Sequence, residues 1–71
     1  MSKEICKRFG ARLRQIREQK KVTQMDLCFK IDMQQKTLSA LENGHMEPCL
    51  EKIDMLAKGL GISLRQLFWN L

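Results

Sequence analysis

Few side chains in this 71-residue chain are of a type that does covalent or metal chemistry, and their spacing speaks against it. Cys6, Cys28 and Cys49 are an odd number at wide intervals, with no Cys-x-x-Cys pair and no histidines placed to complete a zinc site. They read as reduced, partly buried, small apolar residues. His45 is the single histidine and stands beside Gly44, where a solvated loop residue is the plain reading. The five methionines read as core filler and connector residues. No nucleophile–base pair, metal cluster or phosphate-binding loop is present, so the chain is expected to be no enzyme and to carry no metal or cofactor. What remains is charge. The net charge is +5, with ten Lys and Arg against four acids in residues 1–36 and three against four in residues 37–71. A surface of that sign suits a polyanion, because each phosphate it neutralises releases condensed counterions. The chemistry open to such a chain is recognition.

The basic half ends in the stretch around which the rest is organised, TQMDLCFKIDMQQKTLSALENG from Thr23 to Gly44. Thr23 with Asp26 three residues on forms a Thr-x-x-Asp capping box, and Leu27, Cys28 and Ile31 then share one face of a short helix. A second helix begins near Met33 to Gln35. It turns Leu38 and Leu41 inward and leaves Gln34, Gln35, Lys36, Ser39 and Ala40 on the other side. Asn43-Gly44 stops it, with Gly supplying a left-handed residue. Helices this short need tertiary support, so by periodicity alone the stretch is a helical hairpin held by its neighbours.

Those neighbours can be read from the remaining sequence. From Lys3 to Gln19, Ile5, Phe9, Leu13 and Ile16 make one apolar stripe among basic residues. After Gly44 the loop HMEP carries the only proline. A further helix follows over roughly Cys49 to Lys58, with Leu50, Ile53, Leu56, Ala57 and Leu60 as its stripe and Gly59 and Gly61 as its end. Ser63 with Gln66 then opens a last helix by a second capping box. No alternating β pattern occurs, so the fold class is all-α: five helices in a single domain spanning residues 1–71. There is no apolar run of about 18 residues and no signal-peptide segment, so the expected location is the cytoplasm, without a membrane partner.

The Thr23–Gly44 stretch resembles the helix-turn-helix family of phage repressor and Cro proteins, the xenobiotic-response-element type. In that family Thr/Ser-Gln opens the first helix and Leu-Glu-Asn/Arg-Gly closes the second; here Thr23-Gln24 and Leu41-Glu42-Asn43-Gly44 fall at the family's spacing. Leu27, Cys28, Ile31 and Leu38 fall at it too. The resemblance implies a Cro/repressor-like DNA-binding domain acting as a transcriptional regulator on double-stranded DNA, as a homodimer on a palindromic operator. Small phage repressors and restriction-modification controller proteins fit equally.

Residue by residue, the resemblance implies base contacts from Gln34, Gln35, Lys36, Ser39 and Ala40, where Gln can pair with adenine, Lys with guanine and Ala with a thymine methyl. It implies phosphate contacts from Gln24, Arg17, Lys21, Thr37 and Asn43. Arg17 is also expected to pair with Glu42 across the recognition helix. Gly10, common at its position in the family, implies the close approach of a neighbouring element. Three positions depart from the pattern. Asp32 stands where Gly usually takes a positive φ; either Asp takes that conformation, as the Leu38 and Leu41 spacing favours, or it caps the second helix with Gln35 and starts it a turn early. Phe29 replaces a polar residue and is either packed on the first helix or exposed. Cys49 is a poor substitute for a capping Ser.

Leu64, Leu67, Phe68, Trp69 and Leu71 make the C-terminal decapeptide strongly apolar. That exceeds what one short terminal helix buries in a monomer, so these five are expected at a two-fold homodimer interface, the alternative being that all pack inward. A rival class is an antitoxin-type interaction module whose apolar last helix binds a toxin partner; co-purification of an unrelated protein would favour it.

Overall fold

Every helix carries at least one leucine that the fold removes completely from water: Leu13, Leu27, Leu38 and Leu41, Leu56 and Leu67. The elements are α1 (Ser2–Gln19), α2 (Gln24–Ile31), α3 (Gln35–Glu42), α4 (Leu50–Leu60) and α5 (Leu64–Leu67). The computed structural model describes residues 2–71, with side chains from residue 4 onward, and no strand occurs among them. Truncating a buried leucine to alanine costs about 2 to 5 kcal/mol. The whole domain is worth about 0.05 to 0.15 kcal/mol per residue, so each of these leucines is a large share of it.

The long α1 is the spine. It packs on α3 and on α5, while α2 packs on α3 and α4, and α4 on α5. Its buried face runs through Cys6, Phe9, Leu13 and Ile16, and Ile5 is 41% exposed. Cys6 therefore takes the first place of the stripe that the spacing assigned to Ile5. Gly10 lets α1 approach the end of α3: a Cβ there would run into the carbonyl oxygen of Leu41 and lie 2.5 Å from that of Glu42. The close approach implied by the resemblance is real, and it sets α1 directly against the C-terminal turn of α3.

The capping chemistry places the other starts. Thr23 Oγ1 accepts from the Asp26 N–H at 3.0 Å, and the Thr23 N–H donates to Asp26 Oδ2 at 3.4 Å. Ser63 and Gln66 repeat the arrangement at α5. Cys49 precedes α4 without a side-chain cap bond, as its chemistry implies. Two details of α4 differ from the sequence reading. Gly59 lies inside the helix, pressed on Ile31, and Gly61 alone makes the left-handed end at φ 70°. Leu50 belongs to no buried stripe; it is 85% exposed on the first turn.

Candidate nucleic-acid interface

The register of α3 is decided in the turn before it. Asp32 has φ 55° and ψ 49°, the left-handed conformation, and its backbone N–H returns to the Cys28 carbonyl. α3 begins at Gln35, with Gln34 in the cap position and no side-chain cap bond. Asp32 thus ends α2 and does not start α3 early. With that register Leu38 and Leu41 are fully buried. Gln34, Gln35, Lys36 and Asn43 are exposed, and Thr37, Ser39 and Ala40 half-buried, so the residues expected to meet bases lie together on one outward face. Asn43 Nδ2 donates to Ser39 Oγ at 3.4 Å, fixing the far end of that face. Lys21 is exposed in the α1–α2 connection, itself in a left-handed conformation at φ 58°.

Beneath the face lies a buried ion pair. Arg17 Nε donates to Glu42 Oε2 at 2.6 Å and Nη2 to Oε1 at 3.1 Å, and the two side chains are only 10% and 2% exposed. Arg17 Nη1 donates to the Val22 carbonyl at 2.8 Å, tying the α1–α2 connection to the same centre. The hydrogen bond to Glu42 holds the Arg17 pKa above its ordinary value against the opposing effect of burial. Burial pushes the Cys28 thiol up as well, with the nearby Glu42 charge adding to it.

The pair extends outward by side-chain amides. Gln24 Nε2 donates to Glu42 Oε1 at 3.0 Å, and Gln24 Oε1 accepts from Gln35 Nε2 at 3.3 Å. Gln24 and Gln35 stand at the first positions of α2 and α3, so both helix starts open on one side of the motif. Two residues expected at phosphates make bonds within the chain. The Arg17 guanidinium is buried and committed within the chain through all three of its nitrogens, which makes it a support for α3. The Gln24 amide is likewise committed to Glu42 and Gln35. Sequence reasoning placed Gln24 at the helix start but did not see that its amide bridges Glu42 and Gln35.

A family model described as Helix-turn-helix matches residues 13–67. The chain belongs to the helix-turn-helix family of DNA-binding regulators. Control protein C.MunI of Mycoplasma sp. is 34% identical over 66 residues, 92% of this chain and 89% of that protein. The crystal structure of the restriction-modification controller protein C.AhdI from Aeromonas hydrophila matches with a TM-score of 0.88 at 32% identity, covering 92% of this chain and 98% of C.AhdI. ComR from Streptococcus suis matches with a TM-score of 0.79, also at 32% identity, over 92% of this chain and 21% of ComR. α2 and α3 are the two helices of the matched motif.

The C-terminal apolar residues divide. Leu67 is fully buried beneath α1 and α4, and Leu71 is half-buried against the same core. Leu67 is therefore a core residue of the monomer, a correction to its expected place at an interface. Leu64, Phe68 and Trp69 are 45%, 40% and 66% exposed, so the five do not all pack inward. Phe68 keeps one face on Phe9, with ring centroids 5.7 Å apart, and turns the other out. Phe29 is exposed to 92%, which settles the choice left open for it.

Proposed function

We propose that this helix-turn-helix protein is a transcriptional regulator of the restriction-modification controller kind, which binds a palindromic duplex as a homodimer with the first turns of α3 in the major groove. Its likeness to C.MunI and C.AhdI over nearly the full length of all three chains supports the controller assignment. The observation that carries the reading is the pairing of an exposed Gln34-Gln35-Lys36 edge with a buried anchor directly behind it. An edge that reads bases must be solvent-facing before binding and must not move when bound. Gln34, Gln35, Lys36, Ser39 and Ala40 meet base edges in this reading. Lys21, Thr37, Asn43 and the α2 N-terminus meet phosphates. Leu64, Phe68, Trp69 and Leu71 supply the two-fold contact, whose symmetry gives the operator its palindromy. No described helix is long and apolar enough to cross a membrane, in keeping with action on DNA in the cytoplasm.

The test begins with duplexes selected from a random pool by the unaltered protein. Binding should weaken with salt at a log-log slope of about −0.9 per phosphate contacted. Gln35→Ala and Lys36→Ala should each lose about 1 to 3 kcal/mol on the selected duplex, with relaxed preference at one base pair each. A flat salt titration, or a pool that enriches no sequence, overturns the assignment. Co-purification of an unrelated protein in fixed proportion, with no enriched duplex, points to the toxin-binding class instead.

A further inference from the structure

We propose that Glu42, a buried carboxylate with no exposed face to offer DNA, is a specificity-determining positioning residue: it decides which end of the Gln35 amide is presented to a base. The inference rests on the proposed reading of Gln35 as a base contact. It adds a cause for what Gln35 reads.

An ionised carboxylate accepts hydrogen bonds and cannot donate them, whereas a glutamine amide has one accepting and one donating end. Glu42 therefore imposes an order on whatever amide touches it. Gln24 meets Glu42 Oε1 nitrogen first, at 3.0 Å. With its amide reversed, two acceptor oxygens would face each other at that distance beside a carboxylate that is only 2% exposed. Arg17 prevents the carboxylate from turning away by holding both of its oxygens. The amide of Gln24 is thus fixed in one sense, with Oε1 outward.

The order passes on by the same logic. Gln24 Oε1 accepts from Gln35 Nε2 at 3.3 Å, so Gln35 must also approach nitrogen first. One of its two N–H groups is taken. The second N–H and the whole of Oε1 remain free on the exposed side of α3, a donor and an acceptor side by side. Adenine presents the complementary pair in the major groove, a donor at N6 and an acceptor at N7. Guanine presents two acceptors, N7 and O6, and leaves the free oxygen of Gln35 facing another oxygen. Without the relay the amide can turn over and offer both N–H groups, and the distinction weakens. A carboxylate one helix length from the reading residue thereby acts on base preference, through Gln24, without touching DNA.

The test uses the full chain and the duplex it selects from a random pool, with the base pair read by Gln35 located first through Gln35→Ala. A bidentate amide–adenine pair discriminates by about 5- to 150-fold. Gln24→Met breaks the relay in the middle and leaves the Arg17–Glu42 pair in place; it should cut adenine-over-guanine preference at that one base pair by about fivefold or more while leaving the preference at the Lys36 position unchanged. Glu42→Gln should do the same at its origin, and if that variant does not fold, Gln24→Met alone decides. Should Gln24→Met weaken every duplex by one common factor with preferences intact, Gln24 is a plain anchor and the relay is refuted, although Gln35 still reads a base. If instead Gln35→Ala relaxes no position, the reading of Gln35 itself falls and the relay with it.

Discussion

Removing either half of the Arg17–Glu42 pair should be among the most damaging changes outside the leucine core, and the two halves should not be equal. Glu42 is 2% exposed and accepts from Arg17 Nε, Arg17 Nη2 and Gln24 Nε2. Arg17→Ala strips two of those donors and leaves a carboxylate in a dry site with Gln24 alone. Arg17 is 10% exposed and keeps its bond to the Val22 carbonyl when Glu42 is removed, and its long stem can carry the head group outward. Breaking a buried pair from one side costs about 3 to 5 kcal/mol. Arg17→Ala should fall near the upper end and Glu42→Ala near the lower. With stability of about 0.05 to 0.15 kcal/mol per residue, either change removes about a quarter or more of the total. The melting temperature should fall by about 4 to 8 °C for each kcal/mol lost. Urea and thermal unfolding followed by circular dichroism measure both, and Arg17→Met with Glu42→Leu in one chain should recover most of the loss, since no charge is then left buried. A coupling energy below about 0.5 kcal/mol in the double-mutant cycle refutes the reasoning.

Asp32, at φ 55°, should accept Gly with a gain of up to about 1 kcal/mol and reject Val with a loss of about 1 to 2 kcal/mol; equal stabilities in urea would mean the turn is not strained. The Cys28 thiol, pushed up by burial, contributes stability that is complete below its ordinary value of 9.0 and is lost as pH rises through its higher folded value. The urea midpoint should therefore fall more steeply above pH 9 in the unaltered protein than in Cys28→Ala, and parallel curves would count against it. Trp69→Asp, at a site 66% exposed in the monomer, should keep the helicity and abolish the dimer in sedimentation, whereas Leu67→Asp, at a site with no exposure, should unfold the chain. An unaltered protein that stays monomeric with operator DNA present sinks the two-fold interface.

The features readable in the sequence were those decided within a few residues. Thr23 with Asp26 and Ser63 with Gln66 place two helix starts by bonds spanning three positions, and both boxes formed. Asp32 was ambiguous because its side chain can either cap or tolerate a left-handed φ, and only the packing of Leu38 and Leu41 chooses. The Arg17–Glu42 pair spans 25 positions and came from resemblance, not from any local rule. Periodicity misleads where a stripe runs to the end of a helix. Ile5 and Leu50 have the right spacing but are 41% and 85% exposed in the monomer, and spacing carries no information about where the neighbouring helix ends. The C-terminal decapeptide is apolar as a block, but the fold divides it. Its helix is a single turn, so Leu67 alone is fully buried, while Phe68 and Leu71 pack on the edge of the core and Leu64 and Trp69 stay exposed.

The arrangement separates what can change freely from what cannot. Gln34, Gln35 and Lys36 are exposed, and substitutions there should alter stability by no more than about 0.5 kcal/mol while altering the bases preferred. Glu42 is buried at the other end of the same helix and bears on both properties, on stability through Arg17 and on the presentation of Gln35 through Gln24. Gln24 stands between. It is half-buried and uncharged, and its loss leaves no ion unpaired, so a change there should shift recognition at little cost to the fold. Of the three residues in the chain from core to surface, the middle one is therefore where base preference can be altered most independently of folding. A survey of substitutions at position 24 should show duplex preference and melting temperature varying without correlation. At position 42 the two should move together, because there one carboxylate serves both.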